Sequence, residues 1–414
     1  MRRRTLASAL IAAITLAPGL AACSSSGGGG GGSTGDTSSA SGTYNIGYSN
    51  GLTGQTAAFA TPGSKVVRAV FNAVNASGGI HGHKIKLTVL DQGNPGSGQA
   101  AENVTQLATQ DNVSAILGMS ISDDCASVLT LAAKYTTPLL CERVPSSDLS
   151  PVQQYVFNDT SSELAEVQPQ VVLLKKLVSK PHPRVAILTS ETIGAEAWAA
   201  ALRQAVKADG GTTVSYQVMP LTATSVSTQE AAIVASHPDV LLGEIYQQFW
   251  DPLLGGMKSA GLSIPVITTD GDVFYSDLVS LKLPDLYEAS IAAPLDPDPT
   301  NAAQKQLIAA LTPLLGKTAS ELNSGEGSSI VAGPYAVVAA LQACGYPCPG
   351  SKLAPALEKA STTAAGLIPG GFTYTPAMHF GVRQLMFYHW DSSAGRLANA
   401  ATEPAGNPVT AAAH

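Results

Sequence analysis

The sequence is short of charge, since Asp, Glu, Lys and Arg make up only 13% of its 414 residues and the formal net charge is −7. It has no cluster of lysine and arginine beyond the first few residues. Proteins bind nucleic acids and anionic lipid surfaces through such clusters, so the composition argues against both kinds of partner. A run of about 18 apolar residues, which a transmembrane helix needs, is lacking beyond the N-terminal leader.

Motifs for catalysis and for phosphate or metal binding are also lacking. The sequence has no H-E-x-x-H, no Walker loop and no G-x-G-x-x-G. Residues 47–51 fit the G-x-S-x-G pattern around Ser49, but a nucleophile elbow needs a helix directly after it and a downstream acid and histidine. No helix is indicated before about residue 63, so a serine hydrolase is the less favoured alternative. We expect no enzymatic activity, no cofactor and no metal site.

The N-terminus has the layout of an export signal. Three arginines at 2–4 precede an apolar stretch, and Leu20-Ala21-Ala22-Cys23 resembles a bacterial lipobox. The resemblance implies a signal peptide over 1–22 and acylation of Cys23, and an ordinary secretory signal is the alternative. The Ser/Gly-rich residues that follow have too little apolar area to offset the entropy of ordering, so 23–43 is predicted to be a flexible tether. We expect an extracytoplasmic protein, lipid-anchored to the outer face of the cytoplasmic membrane or to a periplasm-facing membrane.

Cysteine is scarce, with five in the chain, and setting Cys23 aside leaves four. Cys344 and Cys348 flank a Gly-Tyr-Pro turn that can bring them together. Cys125 and Cys141 each follow the end of a predicted strand, so they are candidates to be neighbours. An even number in an oxidising compartment favours two disulfides, and free buried thiols remain the alternative for Cys125 and Cys141.

Apolar strand-like runs alternate with amphipathic helix-like runs along the rest of the chain. One β-α series covers about 44–141, and a second begins after about 158 and reaches 268. Such alternation predicts an α/β fold with two doubly wound, Rossmann-like lobes. A third region, 295–400, adds helices and a strand pair near 372–374 and 385–390. In open α/β sheets ligands bind beyond the carboxyl ends of the strands, which points to the loops facing an inter-lobe cleft.

Two stretches of these loops match a known family. Ile46–Thr61 (IGYSNGLTGQTAAFAT) and Ala73–Asp91 (AVNASGGIHGHKIKLTVLD) resemble type I periplasmic binding proteins, specifically the leucine/isoleucine/valine-binding branch that feeds ABC importers. The resemblance implies two lobes joined by a three-segment hinge, a small-molecule ligand trapped on closure, an ABC permease as partner and a monomeric protein. It places lobe 1 at 44–157 and 294–370, lobe 2 at 158–293 and 371–400, and a disordered tail at 401–414.

The resemblance also implies ligand-binding positions. Ser122 corresponds to the serine that binds an amino-acid carboxylate, and Asp270 to the acid that binds the α-ammonium. Asp270 as a cap for its own loop is the alternative. The further candidates for the site are Phe59, Arg143, Ser146, Ile193, Tyr246 and Trp250.

Two departures from the family pattern affect the choice of ligand. Asp123 and Asp124 follow Ser122 and would repel a carboxylate that they face. Arg143 either contacts an anion or pairs with Glu142 or Asp123. The ligand is therefore predicted only as an amino acid or an amino-acid-like amide or acid. A sensor that reports its ligand to a membrane receptor is a second alternative.

Overall fold

The computed structural model describes residues 42–273, 275–296, 298–317 and 329–409, without the side chains of Phe59, Ser276 and Ser329. The predicted signal peptide, Cys23 and nearly all of the predicted tether lie outside the described residues. Fourteen strands are assigned within them. They are β1 Thr43–Asn50, β2 Lys84–Asp91, β3 Ala115–Gly118, β4 Leu139–Cys141, β5 Val156–Asn158, β6 Arg184–Ser190, β7 Thr212–Met219, β8 Val240–Glu244, β9 Val266–Thr268, β10 Leu286–Ser290, β11 Ser361–Thr362, β12 Phe372–Thr373, β13 Gln384–Asp391 and β14 Arg396–Pro404.

The described helices connect these strands in the order expected for parallel sheets. They are α1 Ala57–Ala76, α2 Gln99–Thr109, α3 Ser122–Tyr135, α4 Glu163–Leu177, α5 Ile193–Ala208, α6 Ser227–Ala235, α7 Trp250–Ser259, α8 Tyr275–Leu281, α9 Ala302–Leu315, α10 Ala332–Cys344 and α11 Gly350–Leu357. None of them is long and apolar enough to cross a membrane.

Lobe 1 is built on a five-stranded sheet in the order β2-β1-β3-β4-β5, with every neighbouring pair parallel. Its central strands are short apolar runs buried on both faces, as in β3 (AILG). Strands of this kind require helices on both sides of the sheet, because both faces must be removed from water. Helices α1 to α3 and α9 to α11 belong to this lobe.

Lobe 2 is built on a seven-stranded sheet in the order β14-β13-β10-β9-β8-β6-β7. Strands β6 to β10 are parallel, whereas β13 pairs antiparallel with β10 and with β14. The two doubly wound lobes confirm the predicted fold class.

The chain passes between the lobes three times, and the third passage differs from the expectation. Residues 372–382 stay with lobe 1, because Phe372 bridges Val382, Phe380 bridges Asn158, and the Tyr374 hydroxyl donates to the Asn158 carbonyl. The passage therefore lies near residue 383 rather than at 371. The predicted strand pair was also wrong, since β12 pairs with β11 and β13 pairs with β14.

The C-terminal segment is more ordered than expected. Residues 401–404 complete β14, and the Gly406 amide then donates to the Ala165 carbonyl at 2.7 Å. The Ser162 hydroxyl donates to the Pro408 carbonyl, and Val409 packs against the main core. The expected disordered tail is therefore wrong for 401–409, because β13 offers this polar, alanine-rich stretch a full ladder of backbone partners. Residues 410–414 lie outside the described set.

Lobe 1 also holds both cysteine pairs. Cys125 in α3 is joined to Cys141 at the end of β4, and Cys344 at the end of α10 is joined to Cys348. The first link ties a helix that follows β3 to the neighbouring strand, close to the loops that face lobe 2.

Candidate ligand-binding site

The two lobes meet where the carboxyl ends of their parallel strands face each other. Ser122 begins α3 of lobe 1, directly after the loop that follows β3. Its hydroxyl oxygen accepts a hydrogen bond from the Gly194 amide of lobe 2 at 3.0 Å. The neighbouring Asp123 carboxylate accepts from the Ile193 amide, also at 3.0 Å. These bonds hold the two lobes in direct contact at this point.

The bonds occupy the N-terminus of α5, which would otherwise attract an anion. A helix N-terminus presents backbone N–H groups without partners inside the helix. Here the Ile193, Gly194 and Ala195 amides all donate to side chains, the third to the Thr192 hydroxyl at 3.2 Å. Ser122, the expected carboxylate ligand, therefore serves the lobe contact. The Ile193 side chain, expected to line the pocket, is 47% exposed.

Arg143 follows the end of β4, and its guanidinium reaches across to the start of lobe 2. Nη1 lies 3.4 Å from the Glu166 carboxylate, and Nη2 donates to the Asp270 carbonyl. Of the two alternatives for Arg143, pairing with Glu142 or Asp123 is not seen among the described contacts, and the partners are Glu166 and the Asp270 carbonyl instead. Carboxylates around it raise the pKa of Arg143 despite its burial.

Asp270 follows β9 and is only 2% exposed. One of its carboxylate oxygens accepts from the Ile291 amide at 3.3 Å, and the other from the Ser161 amide at 3.4 Å. Both donors belong to passages between the lobes, so Asp270 caps the backbone of the hinge.

The remaining predicted positions are spread over both lobes. Tyr246 is 9% exposed and packs in the lobe 2 core with Ile121 of lobe 1. Trp250 is buried in the same core. Ser146 is buried, with its hydroxyl 3.1 Å from that of Ser162. Phe59 lies on α1 of lobe 1.

A cavity of about 310 Å³ is lined by residues of both lobes. Ala58 contributes to it from α1 of lobe 1, whereas the other lining residues come from lobe 2. They are Gln247, Gln248, Trp250, Asp251, Val273, Asp277, Ser280 and Leu281.

Ser49 has surroundings that do not suit a nucleophile. The residue is fully buried, its hydroxyl donates to Gln92 at 3.2 Å, and it accepts from the Asn103 amide at 3.0 Å. No described histidine bonds to it, and α1 begins at Ala57 rather than directly after β1.

A group of acids lies beneath the cleft, which we call the inter-lobe acids, and Asp270 is the only one of them that was expected from the sequence. Glu166 takes part in the pair with Arg143, and burial raises its pKa to about 8 although Arg143 opposes the shift. Burial likewise raises the pKa of Glu163, Glu244, Asp272 and Glu288. The group comprises Glu163, Glu166, Glu244, Asp270, Asp272 and Glu288. Their only sequence signal is the density of acids at 163–166 and 270–272, directly after a hinge passage and a strand.

A separate pair of acids is buried inside lobe 1. Glu142 accepts from the Tyr48 hydroxyl at 3.1 Å and from the Asn50 amide at 3.2 Å. Burial raises the pKa of Glu142 to about 7, since these neutral donors and Arg143 only partly offset the loss of water. Burial and the neighbouring Glu142 raise the pKa of Asp159 well above its usual range.

A sequence model of the periplasmic binding protein family matches residues 43–396, which is most of the chain. The chain belongs to the periplasmic binding protein family. Members of this family are extracytoplasmic substrate-binding proteins and not enzymes, so the alternative of a serine hydrolase is wrong. None of the curated proteins matches the sequence.

Solved structures of ABC transporter binding proteins share the fold. A solute-binding protein from R. palustris in complex with 4-hydroxybenzoate superposes with a TM-score of 0.72 at 17% identity, covering 88% of this chain and 98% of its own. A fatty acid transporter substrate-binding protein from Thermomonospora curvata gives 0.71 at 19%, covering 88% and 92%. A branched-chain amino acid binding protein from Streptococcus pneumoniae with isoleucine gives 0.67 at 18%, covering 87% and 99%.

These relatives establish the type I periplasmic binding protein fold. The ligands named for them are an aromatic acid, fatty acids and a branched-chain amino acid. The leucine/isoleucine/valine branch expected from the sequence is therefore one of several that share this architecture. The ligand has to be inferred from the residues of the cleft itself.

Proposed function

We propose that this periplasmic binding protein is a lipid-anchored receptor that delivers an amino acid or an amino-acid-like compound to an ABC importer. The observation that carries the proposal is the direct contact between the lobes over a polar, buried interface. A ligand caught there is removed from water, which strengthens every charged contact it makes.

The hinge supplies the movement that such a receptor needs. Ser122 and Asp123 form bonds between the lobes that only the closed arrangement permits, and three short passages connect the lobes. A ligand that contacts both lobes stabilises the closed state relative to the open one, and thereby shifts the population. The closed form then presents a defined surface to the permease.

The chemistry of the cleft favours a ligand with an amine over one with only a carboxylate. The donors at the N-terminus of α5 are already engaged, and Asp123 and Asp124 lie beside Ser122. Asp270 and the neighbouring acids give the interior negative character that suits an ammonium group. An amino-acid-like amine fits these surroundings better than a free aromatic acid.

The binding function is tested by a thermal-shift screen of the exported domain with amino acids, amides, carboxylates and aromatic acids. A ligand that binds only the folded state raises the melting temperature. We expect at least one amine-bearing compound to do so, and small-angle X-ray scattering to show contraction of the domain with the same compound. If no compound in the screen raised the melting temperature, the proposed binding function would be wrong.

The membrane anchor is tested separately through Cys23. We expect Cys23→Ser to release the protein from membranes into the soluble extracytoplasmic fraction, whereas the unchanged chain stays in the membrane pellet. Acyl chains provide that retention, since nothing among the described helices spans a bilayer. Retention of the Cys23→Ser variant in the pellet would contradict lipid anchoring.

A further inference from the structure

Glu163 differs from the other inter-lobe acids in its hydrogen bonding. The Glu166 carboxylate accepts from the Asp270 amide at 2.9 Å in addition to its contact with Arg143. The Glu244 carboxylate accepts from the Ser190 hydroxyl at 2.7 Å. In contrast, Oε2 of Glu163 is buried and has no hydrogen-bond partner among the described residues, although the residue is only 2% exposed.

Asp272 and Glu288, two further acids of the group, accept hydrogen bonds from the loop after β9. Asp272 accepts from the Thr269 hydroxyl at 2.7 Å, and Glu288 accepts from the Gly271 amide at 2.9 Å. These carboxylates therefore shape their own loop. Oε2 of Glu163 does not bond to any described loop in this way. A buried carboxylate oxygen without a hydrogen-bond donor lowers the stability of the folded protein.

The position of Glu163 directs its carboxylate toward the contact between the lobes. It is the first residue of α4, and Oε1 lies against Gly194 at the start of α5. A Cβ on residue 194 would collide with this oxygen and would come within 3.3 Å of the Ser122 hydroxyl oxygen. Glycine at 194 thus makes room for Glu163 beside the junction of both lobes.

Acids outnumber cations around Glu163. Arg143 attracts the Glu163 carboxylate and Glu244 repels it more weakly, but Arg143 is the one cation that this group shares within the described residues, and it also bonds to Glu166 and Asp270. Negative groups on both lobes, Glu244 and Asp123 among them, also act on Tyr246. An anion brought to this point would meet acids from two directions.

Asp111 and Asp159 also have a buried carboxylate oxygen without a described partner. Asp111 follows α2 in lobe 1 and is only partly buried. Asp159 lies against Gly333 at the start of α10, within lobe 1, and the neighbouring acid that acts on it is Glu142. It therefore belongs to the interior of one lobe, whereas Glu163 lies at the junction with the other.

We propose that Glu163 is the residue that binds the cationic group of the ligand, and that the ligand class is small organic amines, with or without a carboxylate. This rests on the proposed binding function and assigns the ammonium to Glu163 rather than to Asp270. An ammonium donates to Oε2, which replaces the missing partner, and the negative neighbours add attraction.

The test uses two pairs of probes that match in size and differ in charge. They are benzylamine against benzoate, and L-leucinamide against 4-methylpentanoate, measured by calorimetry and thermal shift on the full exported domain. We expect an amine to bind and its matched acid to fail. Glu163→Gln should weaken the amine tenfold or more, since a hydrogen bond to a charged group contributes about 1.5–3 kcal/mol.

The matched control is Glu196→Gln, which removes an exposed acid from the first turn of α5. We expect this variant to bind the amine as the unchanged protein does. Glu163→Gln should melt at or above the temperature of the unchanged protein without ligand, because it neutralises a buried charge. Equal amine affinity in both variants, or a loss of folding in Glu163→Gln, overturns the assignment.

The outcomes separate this inference from the proposed function. Benzoate or 4-methylpentanoate could bind and contract the domain while the amines do not. That result would support the receptor function and would show that the assignment of amines as ligands is wrong. If neither these four probes nor the wider panel of amino acids binds, the receptor function falls with it.

Discussion

Lobe 1 and lobe 2 handle buried carboxylates in different ways. Inside lobe 1, Glu142 accepts hydrogen bonds from the neutral Tyr48 and Asn50, and none of the described cations donates to it. At the lobe junction, Glu166 is paired with Arg143, which comes from the other lobe. Burial raises the pKa of both acids, to about 7 for Glu142 and to about 8 for Glu166, and Arg143 only partly opposes the rise at Glu166. The difference therefore lies in the partners, which are neutral groups inside lobe 1 and a cation from the other lobe at the junction.

The lobes also differ in covalent links. All four cysteines of the described residues belong to lobe 1, and two of them lie directly behind the loops that face lobe 2. The loops of lobe 1 that contact lobe 2 are therefore supported by a disulfide, whereas the described part of lobe 2 is held by packing, hydrogen bonds and ion pairs such as Lys175–Asp209.

The largest expected effect comes from removing the cation of the junction. Arg143→Met should lower the free energy of unfolding by about 3 kcal/mol or more, because it leaves Glu166 and its neighbours buried without a counter-charge. The loss should be greater at pH 8 than at pH 5, where these carboxyls take up protons. Denaturant unfolding at both pH values measures it.

The control for this change is Arg396→Met, which removes an exposed arginine at the start of β14. It should alter stability by a few tenths of a kcal/mol. If the two variants proved equally stable, the junction acids would not depend on Arg143.

A smaller loss of stability is expected when the disulfides of lobe 1 are removed. The double variant Cys125→Ala, Cys141→Ala opens a link that spans 16 residues, which costs about 3 kcal/mol in the loop-entropy account. Cys344→Ala with Cys348→Ala opens one that spans 4 residues, so its cost is about 2 kcal/mol.

Unfolding of the two double variants gives the comparison, and peptide mapping without reductant should find no free thiol in the unchanged protein. Alkylation of Cys125 or Cys141 in that mapping would contradict the first link.

The smallest change in stability is expected at Glu142, the acid inside lobe 1 that is bonded by neutral groups. Since the folded pKa of Glu142 is raised to about 7, the stability it contributes is fully present below its unfolded pKa and is lost as pH rises through about 7. Glu142→Gln keeps an acceptor for Tyr48 and Asn50. It should therefore be more stable than the unchanged protein by about 2 kcal/mol at pH 8 and equal to it at pH 4.5.

Melting temperatures across this pH range provide the measurement. Glu102→Gln, an exposed acid on α2, is the matched control and should follow the unchanged protein at every pH. A Glu142→Gln variant that lost stability at pH 8 would show that Glu142 is needed as an anion.

The fold was predictable because it follows from local patterns. Buried β3 and the amphipathic α1 carry their periodicities in short stretches of sequence, and glycines mark the ends of helices. β14 escaped prediction, since its composition resembles a loop and its order depends on the ladder with β13. The third hinge passage was misplaced for a similar reason, because the bridge from Phe380 to Asn158 joins residues far apart in the chain.

The sequence by itself determined the α/β class, the two lobes, the family and the loops that meet at the cleft, because these depend on periodicity and on short local motifs. Only the tertiary structure decided which side chains act on one another. The bond from Gly194 to Ser122 spans 72 positions, and that from Arg143 to Asp270 spans 127. No local pattern encodes such pairs, and burial, which shifts the pKa of Glu142 and Glu166, exists only once the chain has folded.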